Sequence, residues 1–516
     1  MFWWKLCGTL LAVLVARKVF EFRRNTRKFS DLPGLRPLLF LPTSALNPGS
    51  GWQWVRRDKI YSKYRMNTIS LVPILSGTPT YFTRSLDVAR QIVAAKNGFV
   101  KPEDIRSVLL GWGRNLFTEN GSEWIRHRRI MNPAFTPEVY AHVWNETADL
   151  YEQMQHAEGW IGRSEHDLSA FNSITPKRSA SETMQFAHAL DIVSRSVVPR
   201  LLIPRWAYRF PLKRLRDMEI AHRSVDQFMQ ELIKTRQAEL SADKAHRSQG
   251  QGGPEKDVFR LMIRASEDEG ALRMSSEELT GNTFLMLLAG HDTTSRTLDA
   301  TIGFLALYED IQEEIYQEVH DVLSTSTGGG GQLRFEDYPR LKKVQGGLFG
   351  GGTALSCVAA SYFQTWPEGH ADLCEPAAAT MMVREATDTF VLQTDKADGH
   401  GGQVILEPGT RVTIDFVGIH YNPEYFPEPE EFQPSRWYDA LESDMTMFSL
   451  GPRVCIGRRF ALTESVSFLS HLLCDWRLHA VLQPGETKPQ WRRRVLRGLG
   501  GLSFGVGRVP VRLTRR

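Results

Sequence analysis

The sequence predicts a mainly α-helical protein with small β-sheets. Residues 279–307 form an apolar stretch long enough for a buried helix, and residues 86–95 and 460–473 also have helical character. The segments that favour strands are short and far apart. They lie at residues 69–81, around a Gly-Thr-Pro turn, and late in the chain at residues 403–416 and 502–513. Such separated short strands predict small sheets beside a helical body.

The N-terminus predicts a membrane anchor over residues 1–22. Residues 2–16 are apolar apart from Lys5, and the basic residues that follow are Arg17, Lys18, Arg23, Arg24, Arg27 and Lys28. The apolar run is shorter than the roughly 20 residues a spanning helix needs, so a single span and an interfacial anchor both remain open. The basic flank predicts that the body lies on the cytosolic side. Residues 23–48, which are basic and contain proline, then form a linker.

Composition limits the remaining possibilities. The chain has 516 residues, 42% of them hydrophobic and 24% charged, which is enough for one large globular unit or two domains. A net charge of +4 is too small to indicate a nucleic-acid partner. Its 5 cysteines form no even disulfide framework, which favours a reducing compartment. The sequence contains no zinc-ligand spacing, phosphate-binding loop or dinucleotide fingerprint.

Residues 448–457 read FSLGPRVCIG and carry the strongest signal for chemistry. Cys455 lies just before a predicted helix, where free backbone amides stabilise a thiolate. Gly451 and Gly457 allow a tight turn and the close approach of a flat ligand, and Arg453 can reach an anionic cofactor edge. The plain alternative for a lone cysteine is a buried structural thiol. The neighbouring residues favour a metal ligand.

The central apolar stretch contains a second signal, AGHDTT at residues 289–294. Gly290 leaves room for a diatomic ligand beside the helix, and Asp292 and Thr293 supply an acid and a hydroxyl for proton relay. The alternative is that the threonine hydroxyls simply bond preceding carbonyls. His291 is a solvated or pocket-lining residue in either interpretation.

These motifs resemble those of the cytochrome P450 family, especially microsomal members from filamentous fungi, and the resemblance extends over nearly the whole chain. It implies a P450 fold, with residues 49–516 as a haem-thiolate monooxygenase domain. Cys455 would be the axial ligand of haem b iron, with Phe448 packed beneath it and Gly451 in the same loop. Arg453, together with Trp124 and Arg128, would hold the haem propionates, although an ordinary basic helix surface at residues 126–129 remains possible.

The resemblance also implies a reaction and partners. Thr293 and Asp292 would deliver protons for oxygen activation, and electrons would come from NADPH through a P450 reductase docked on a basic surface around Arg458 and Arg459. The enzyme would lie on the endoplasmic reticulum membrane with its catalytic domain in the cytosol. Its substrate would be an apolar small molecule of specialised metabolism, with a terpenoid favoured over a polyketide or a fatty acyl chain. The predicted pocket residues are apolar: Val108, Leu109, Leu110, Trp112, Phe284, Leu285 and Leu288.

One departure from the family is large. The family has a helix with a glutamate and, three residues later, an arginine, which complete a triad with the arginine at Arg436. Residues 346–380 contain no such pair and are rich in glycine, which opposes helix formation by roughly 1 kcal/mol per residue. Arg436 is then expected to be a buried charge without its carboxylate. A mis-spliced message or retained intron, a decayed gene and real divergence are the possible origins.

Two other functions therefore stay open. One is a catalytically inactive or mis-spliced P450 product. The other is a haem-thiolate isomerase or dehydratase that does not use dioxygen, which Asp292 and Thr293 disfavour.

Overall fold

The protein is described from a computed structural model. It describes residues 2–38, 60–95, 98–107, 109–168, 186–210, 212–246, 257–326, 332–358, 381–394, 402–440, 446–496, 498–499 and 505–516. The helices are α1 (Phe2–Lys28), α2 (Leu86–Ala94), α3 (Glu103–Ser107), α4 (Gly121–Met131), α5 (Pro137–Ala157), α6 (Phe186–Leu202), α7 (Lys213–His246), α8 (Val258–Glu267), α9 (Ser276–Leu307), α10 (Glu309–Thr325), α11 (Lys342–Val358), α12 (Phe416–His420), α13 (Arg458–Asp475) and α14 (Lys488–Val495). The strands are β1 (Gly34–Leu35), β2 (Thr68–Leu71), β3 (Thr80–Thr83), β4 (Phe99–Val100), β5 (Glu165–Leu168), β6 (Met381–Ala386), β7 (Phe390–Thr394), β8 (Gly402–Leu406), β9 (Arg411–Asp415), β10 (Trp476–Ala480), β11 (Gly498–Leu499), β12 (Gly505–Val506) and β13 (Val511–Arg515).

The sheets are small, as the strand pattern predicts. The largest has the order β1-β2-β3-β9-β6-β4, and a second has the order β10-β13-β5. Strands β2 and β3 form the predicted hairpin, with Ile69 opposite Phe82. Strand β9 then joins β3 in parallel and β6 in antiparallel register, so it connects the two halves of the sheet. The mainly α class with small sheets is confirmed.

Helix α9 forms the centre of the molecule and covers the predicted 279–307 stretch. It begins with a capping box in which the Ser275 hydroxyl accepts from the Glu278 amide at 3.2 Å, and the Glu278 carboxylate accepts from the Ser275 amide at 2.8 Å. Its first half packs into one apolar cluster through Leu279, Phe284 and Leu288. Its last turns pack into another cluster through residues 300–307. Residues 289–291 and 293, between these two buried stretches, are exposed.

The N-terminal helix forms, but the structure does not support the predicted span. In the part of the chain that the structure describes, no helix combines the length and apolar character needed to cross a membrane. Helix α1 is long enough, but Arg17 and Lys18 interrupt its apolar run. The predicted linker is also partly structured, because Gly34 and Leu35 pair in parallel with Ser70 and Leu71 of β2. Residues 39–48 of the linker lie outside the described residues.

Helix α11 corrects the expectation that the glycine-rich segment opposes a helix. Residues 342–358 are helical, and Gly346, Gly347, Gly350 and Gly351 are buried. A Cβ atom added at Gly346 would lie 2.5 Å from the Tyr438 ring, and one at Gly351 would lie 2.1 Å from the Thr301 hydroxyl. Because these glycines let α11 pack closely on its neighbours, tertiary contact overrides their low helix propensity. Residues 359–380 of the segment lie outside the described residues.

Arg436 is not the isolated buried charge that the missing glutamate led us to expect. It is half-buried in a short helical turn, Pro434–Trp437. Its Nε donates to the Gln433 side chain at 2.9 Å, and its Nη2 donates to the carbonyls of Pro427 and, at 2.6 Å, Glu428. Carbonyl and amide oxygens are therefore among the groups that bind Arg436.

Candidate active site

The loop before α13 has the geometry that its motif predicts. The Cys455 amide donates to the Phe448 carbonyl at 2.9 Å and closes the loop. Gly451 has a φ of +72°, and a Cβ atom there would lie 2.6 Å from Val93. Glycine is therefore required at 451 by both conformation and space. Gly457 has an ordinary φ of −86°, and a Cβ atom there meets nothing within 4 Å, so it lies beside open space.

Cys455 is accessible to solvent, but enough protein lies close to its thiol to desolvate it in part. Burial raises the pKa of this thiol, while the Gly457 amide, Arg128 and Arg458 lower it by smaller amounts. The Gly457 amide favours the thiolate, as expected at a helix start, but desolvation outweighs this amide and the two arginine charges. A thiol in this position needs a further positive charge to lose its proton, and a bound metal ion supplies one.

A group of enclosed cations lies beside the cysteine loop. Burial lowers the pKa of Arg453 and of Arg384 to about 10 each, and Lys101 is lowered well below its ordinary pKa. Arg384 and Arg453 add electrostatic repulsion to the burial of Lys101. Glu119, 3.6 Å from Arg106, offsets part of this charge. Because enclosed charges of one sign are costly, the site has the electrostatics of an anion-binding pocket.

Helix α4 contributes two of the predicted residues to the same place. The Arg453 guanidinium lies 4.7 Å from the centre of the Trp124 ring. Arg128, one turn after Trp124, donates to the Val454 carbonyl at 3.0 Å. The structure therefore brings Trp124, Arg128 and Arg453 to the Cys455 loop, as predicted.

The two neighbours of Arg128 on its N-terminal side do not form a basic surface. Arg126 pairs with Glu278 of α9, and His127 Nε2 lies 3.2 Å from the same carboxylate. The side chain of His127 is fully buried. A surface interpretation of residues 126–129 is thus wrong for Arg126 and His127, whereas Arg129 is exposed.

The exposed segment of α9 faces open space with small residues. A Cβ atom at Gly290 meets nothing within 4 Å. The Thr293 hydroxyl is exposed and donates to the Ala289 carbonyl at 2.7 Å, which is the contact expected of a helical threonine in the plain alternative. Asp292 lies on the buried side, where its Oδ1 accepts from Arg296 Nε at 3.0 Å. Thr293 and Asp292 therefore lie on different faces of α9 in this structure.

Apolar packing places the cysteine loop near this helix. Ile456, next to Cys455, packs against the same cluster as Leu285 and Leu288 of α9. The site thus offers a thiol, enclosed cations and a small-residue helix surface around one apolar cluster. These features fit haem, which has an iron that binds thiolate, a flat apolar ring and two carboxylates. Cys455 could hold the iron, and Arg128, Arg453, Arg384 and Lys101 could hold the carboxylates.

Sequence reasoning did not identify Arg384 and Lys101 as parts of this site. Arg384 lies on β6, and Lys101 follows β4, which pairs with β6. Each residue alone has the appearance of an ordinary strand or loop cation. The pairing of two strands distant in sequence brings them together, and the sequence contains no local signal of that pairing.

The predicted pocket residues have mixed outcomes. Leu109, Phe284, Leu285 and Leu288 are buried in one cluster, and Val108 lies outside the described residues. Trp112 packs against the same cluster, and Leu110 and Trp112 also line a cleft that contains polar and charged side chains. The surroundings of these two apolar residues are therefore partly polar.

Comparison with known proteins gives the family. The family model described as Cytochrome P450 matches residues 52–344 and 387–498, so the match is interrupted across most of α11 and the segment after it. The chain is 27% identical to Cytochrome P450 monooxygenase 124 of Postia placenta over 98% of each chain. It is 27% identical to Cytochrome P450 monooxygenase prx9 of Penicillium rubens over 86% of this chain and 83% of that protein. It is also 24% identical to Cyclooctat-9-en-7-ol 5-monooxygenase of Streptomyces melanosporofaciens, over 81% of this chain and 89% of that protein.

The fold is also that of a solved structure. The crystal structure of the cytochrome P450DA heme domain superposes with a TM-score of 0.64 at 19% identity, covering 94% of this chain and 98% of that one. Because the family model matches well over half of the chain, at residues 52–344 and 387–498, the protein belongs to the cytochrome P450 family of monooxygenases.

Proposed function

We propose that this P450 oxidises an apolar small molecule of specialised metabolism, a terpenoid in the first instance, with dioxygen and electrons from NADPH. The observation that carries the proposal is the exposed Cys455 thiol beside a group of enclosed cations. The similarity to fungal P450 monooxygenases supports an oxidative role. The relative named for the 5-oxidation of cyclooctat-9-en-7-ol supports a terpenoid substrate.

In the proposed enzyme, one residue binds the haem iron and a group of cations binds the haem carboxylates. Cys455 holds the iron, and Arg128, Arg384, Arg453 and Lys101 neutralise the propionates. When bound, a haem with a thiolate ligand supplies the activation of dioxygen. The apolar surroundings of Leu285 and Leu288 exclude water from the substrate.

Two residues of α9 can supply the protons of the reaction. Thr293 presents its hydroxyl to the open space beside Gly290, where it can hold a proton at Oγ1. Asp292 is bound to Arg296 in this structure, so delivery from its carboxylate requires a rotation away from that pair. We therefore propose that Thr293 supplies the proton directly. Asp292 can act as an acid only after it leaves Arg296.

A P450 reductase is the proposed electron donor. Arg459 is exposed at the start of α13, four residues after Cys455, and Arg129 is exposed on α4. An acidic reductase surface complements this charge.

Arg459→Glu should slow electron transfer from the reductase, more so at low ionic strength. The control Lys63→Glu, at an exposed site far from the cysteine loop in sequence, should not slow it. Equal rates in both variants would remove this surface from the proposal.

We propose that the enzyme binds the endoplasmic reticulum membrane through α1, with its body in the cytosol. The exposed apolar side chains of α1 include Leu10, Leu11 and Phe20, the last 68% exposed. Trp206 and Phe210 are also exposed, and their rings contact each other at 5.8 Å. Aromatic and aliphatic side chains with basic neighbours favour a lipid interface.

A chain without residues 1–22 should lose most of its flotation with liposomes that contain anionic lipid. Full flotation of that chain would mean that another part of the protein binds the membrane.

The first test of the function is the difference spectrum of the reduced protein with carbon monoxide. Thiolate-bound haem gives a strongly red-shifted band, which we expect from the wild type and not from Cys455→Ala. Absence of that band from folded, haem-loaded wild type would refute the proposal and leave a catalytically inactive product.

A second test separates monooxygenation from isomerisation or dehydration. Thr293→Ala should consume NADPH with reductase present but form less product per NADPH, because its hydroxyl no longer holds the proton. Unchanged coupling in Thr293→Ala would remove Thr293 from proton supply, whereas product formed without NADPH and dioxygen would favour isomerisation or dehydration.

A further inference from the structure

The loop that carries Cys455 begins with a short helical turn, Thr446–Phe448. The Thr446 carbonyl accepts from the Ser449 amide at 2.8 Å, and the Phe448 carbonyl accepts from the Cys455 amide at 2.9 Å. Ser449 has a φ of +68°, in the left-handed region that residues other than glycine rarely adopt. Because this conformation is strained, the turn keeps it only when the surrounding structure holds the turn in place.

The imidazole of His420 contacts the first residue of this turn. His420 ends α12, and its Nε2 lies 2.6 Å from the Thr446 hydroxyl oxygen. The two residues are almost completely buried, at 5% and 1% exposure. The Phe426 ring meets the imidazole edge to face at 5.8 Å, which restricts the orientation of the imidazole. The hydrogen bond therefore joins two side chains that solvent hardly reaches, where the loss of such a bond is costly.

The imidazole is neutral, and its polar contact is with the turn. Burial lowers the pKa of His420 to about 4, so the ring carries no charge at pH 7. Its Nδ1 is buried and has no hydrogen-bond partner among the residues that the structure describes. The position of the ring and the position of Thr446 therefore depend on each other.

The two halves of the cysteine loop are held by different groups. Cations hold the second half, where Arg128 and Arg453 each donate to a backbone carbonyl. In the first half, the side-chain hydrogen bonds within the described part of the chain are the bond between His420 and Thr446 and one from Ser449 to a methionine sulfur of β6. A thioether sulfur is a weak acceptor. His420 is therefore the stronger hydrogen-bonding anchor of the first half.

We propose that His420 is a positioning residue for the iron ligand. Through Thr446 it fixes the strained turn whose last carbonyl binds the Cys455 amide, and it thereby sets where the thiol lies relative to the haem. The inference rests on the proposed haem-thiolate function, to which it adds a residue that acts through the loop rather than on the iron.

The reduced carbon monoxide spectrum tests this role, because the red-shifted band requires the thiolate on the iron. Thr446→Val keeps the size of the side chain but removes its hydroxyl. In dilute urea that leaves the chain folded, the band of Thr446→Val should decay about tenfold faster than that of the wild type, the effect of one buried hydrogen bond. His420→Phe should decay as fast, and the double variant no faster than either single one. Thr446→Ser, which keeps the hydroxyl, should decay at the wild-type rate.

The matched control is Ser196→Ala, which removes the hydroxyl 3.4 Å from another buried imidazole, that of His222, between α6 and α7. Its band should decay at the wild-type rate. Far-ultraviolet circular dichroism in the same urea solutions follows the fold, and it should stay constant in Thr446→Val while the band decays.

Four results would overturn the inference: wild-type decay in Thr446→Val, equally fast decay in Thr446→Ser, equally fast decay in Ser196→Ala, or loss of circular dichroism in step with the band. A wild type that gives no red-shifted band refutes the proposed function instead, so the two failures are distinguishable.

Discussion

At the scale of single residues, the enclosed cations beside Cys455 depend on one another. Lys101, Arg384 and Arg453 each have a lowered pKa, first because of burial and then because of their neighbours' charge. A fold tolerates such a group when an anion neutralises it. We propose that the two carboxylates of haem provide that anion, in which case electrostatics as well as shape would hold the edge of the ring here.

Arg384→Ala should therefore weaken haem retention. Removing one guanidinium takes away a charge-assisted bond to a propionate, so we expect the rate of haem transfer to excess apomyoglobin to rise about tenfold. Arg384→Lys should recover part of the loss because it keeps the charge. Arg90→Ala, at a guanidinium whose side chain is 61% exposed on α2, is the control and should transfer haem at the wild-type rate. A wild-type rate in Arg384→Ala would exclude this residue from the propionate site.

At the scale of elements, α9 and α4 are joined by a buried polar network. Glu278 of α9 accepts from Arg126 and lies 3.2 Å from His127, both of α4. Asn282, one turn later, accepts from the Leu116 amide at 2.9 Å and donates to the Glu278 carbonyl at 2.7 Å. This network fixes the helix that presents Thr293 relative to the helix that presents Trp124 and Arg128. In the proposed site it would therefore set the geometry of both sides of the haem pocket.

Glu278→Gln should lower the free energy of unfolding by about 2 kcal/mol at pH 7. Burial alone would raise the pKa of Glu278, but bonds from Arg126, the Ser275 amide and His127 outweigh it and lower the pKa to about 2. Because this folded-state pKa lies below the ordinary 4.5, the carboxylate stabilises the fold above pH 4.5, and that contribution is lost as the pH falls toward 2.

Urea unfolding of wild type and Glu278→Gln at several pH values checks this prediction. The difference between them should be constant from pH 6 to 7 and should narrow below about pH 4.5. Glu123→Gln is the matched control, because Glu123 also pairs with Arg126 but its side chain is 46% exposed, so its loss should cost less than about 0.5 kcal/mol. A difference that grows on acidification would contradict the assigned ionisation.

The glycines of α11 give the second prediction at this scale. Gly351→Ala places a methyl group 2.1 Å from the Thr301 hydroxyl of α9, so the helices must separate. We expect a loss of about 1 to 3 kcal/mol in the free energy of unfolding, as for other overpacked cores. Thr301→Ala in the same chain removes the nearest atom and should restore part of the loss. Gly98→Ala, whose nearest contact would be an ordinary 3.4 Å, should change stability little. Equal stability of Gly351→Ala and wild type would mean that α11 does not pack on α9 in this way.

At the scale of the whole molecule, the sequence predicts what depends on local pattern. The apolar stretch at residues 279–307 and the 69–81 hairpin are found close to their predicted positions. Helix α11 was not predicted because its glycines have low helix propensity, and their close packing on Thr301 and Tyr438 is a long-range contact. Arg384 and Lys101 were missed for a related reason, since only the β4–β6 pairing joins them. The long-range contacts of this site are thus the feature that could not be predicted from the sequence.

The segment of residues 346–380 provides the last prediction. The family model stops at residue 344 and resumes at 387, and on this ground we propose that the segment has a different origin from the rest of the chain. If so, the mature transcript across the codons for Gln345 to Met381 should encode a helix with a glutamate and, three residues later, an arginine. Such a pair would give Arg436 a carboxylate in place of the carbonyls of Pro427 and Glu428.

Sequencing that transcript decides the matter, and expression of both forms shows its consequence. The form with the pair should unfold at a higher temperature and retain more haem per chain, because an ion pair with a carboxylate is stronger than bonds from Arg436 to neutral carbonyls. A transcript identical to the present sequence would contradict the prediction. The close packing of Gly346 and Gly351 would then be the native arrangement of this P450, and α11 would hold its core without the family's ion pair.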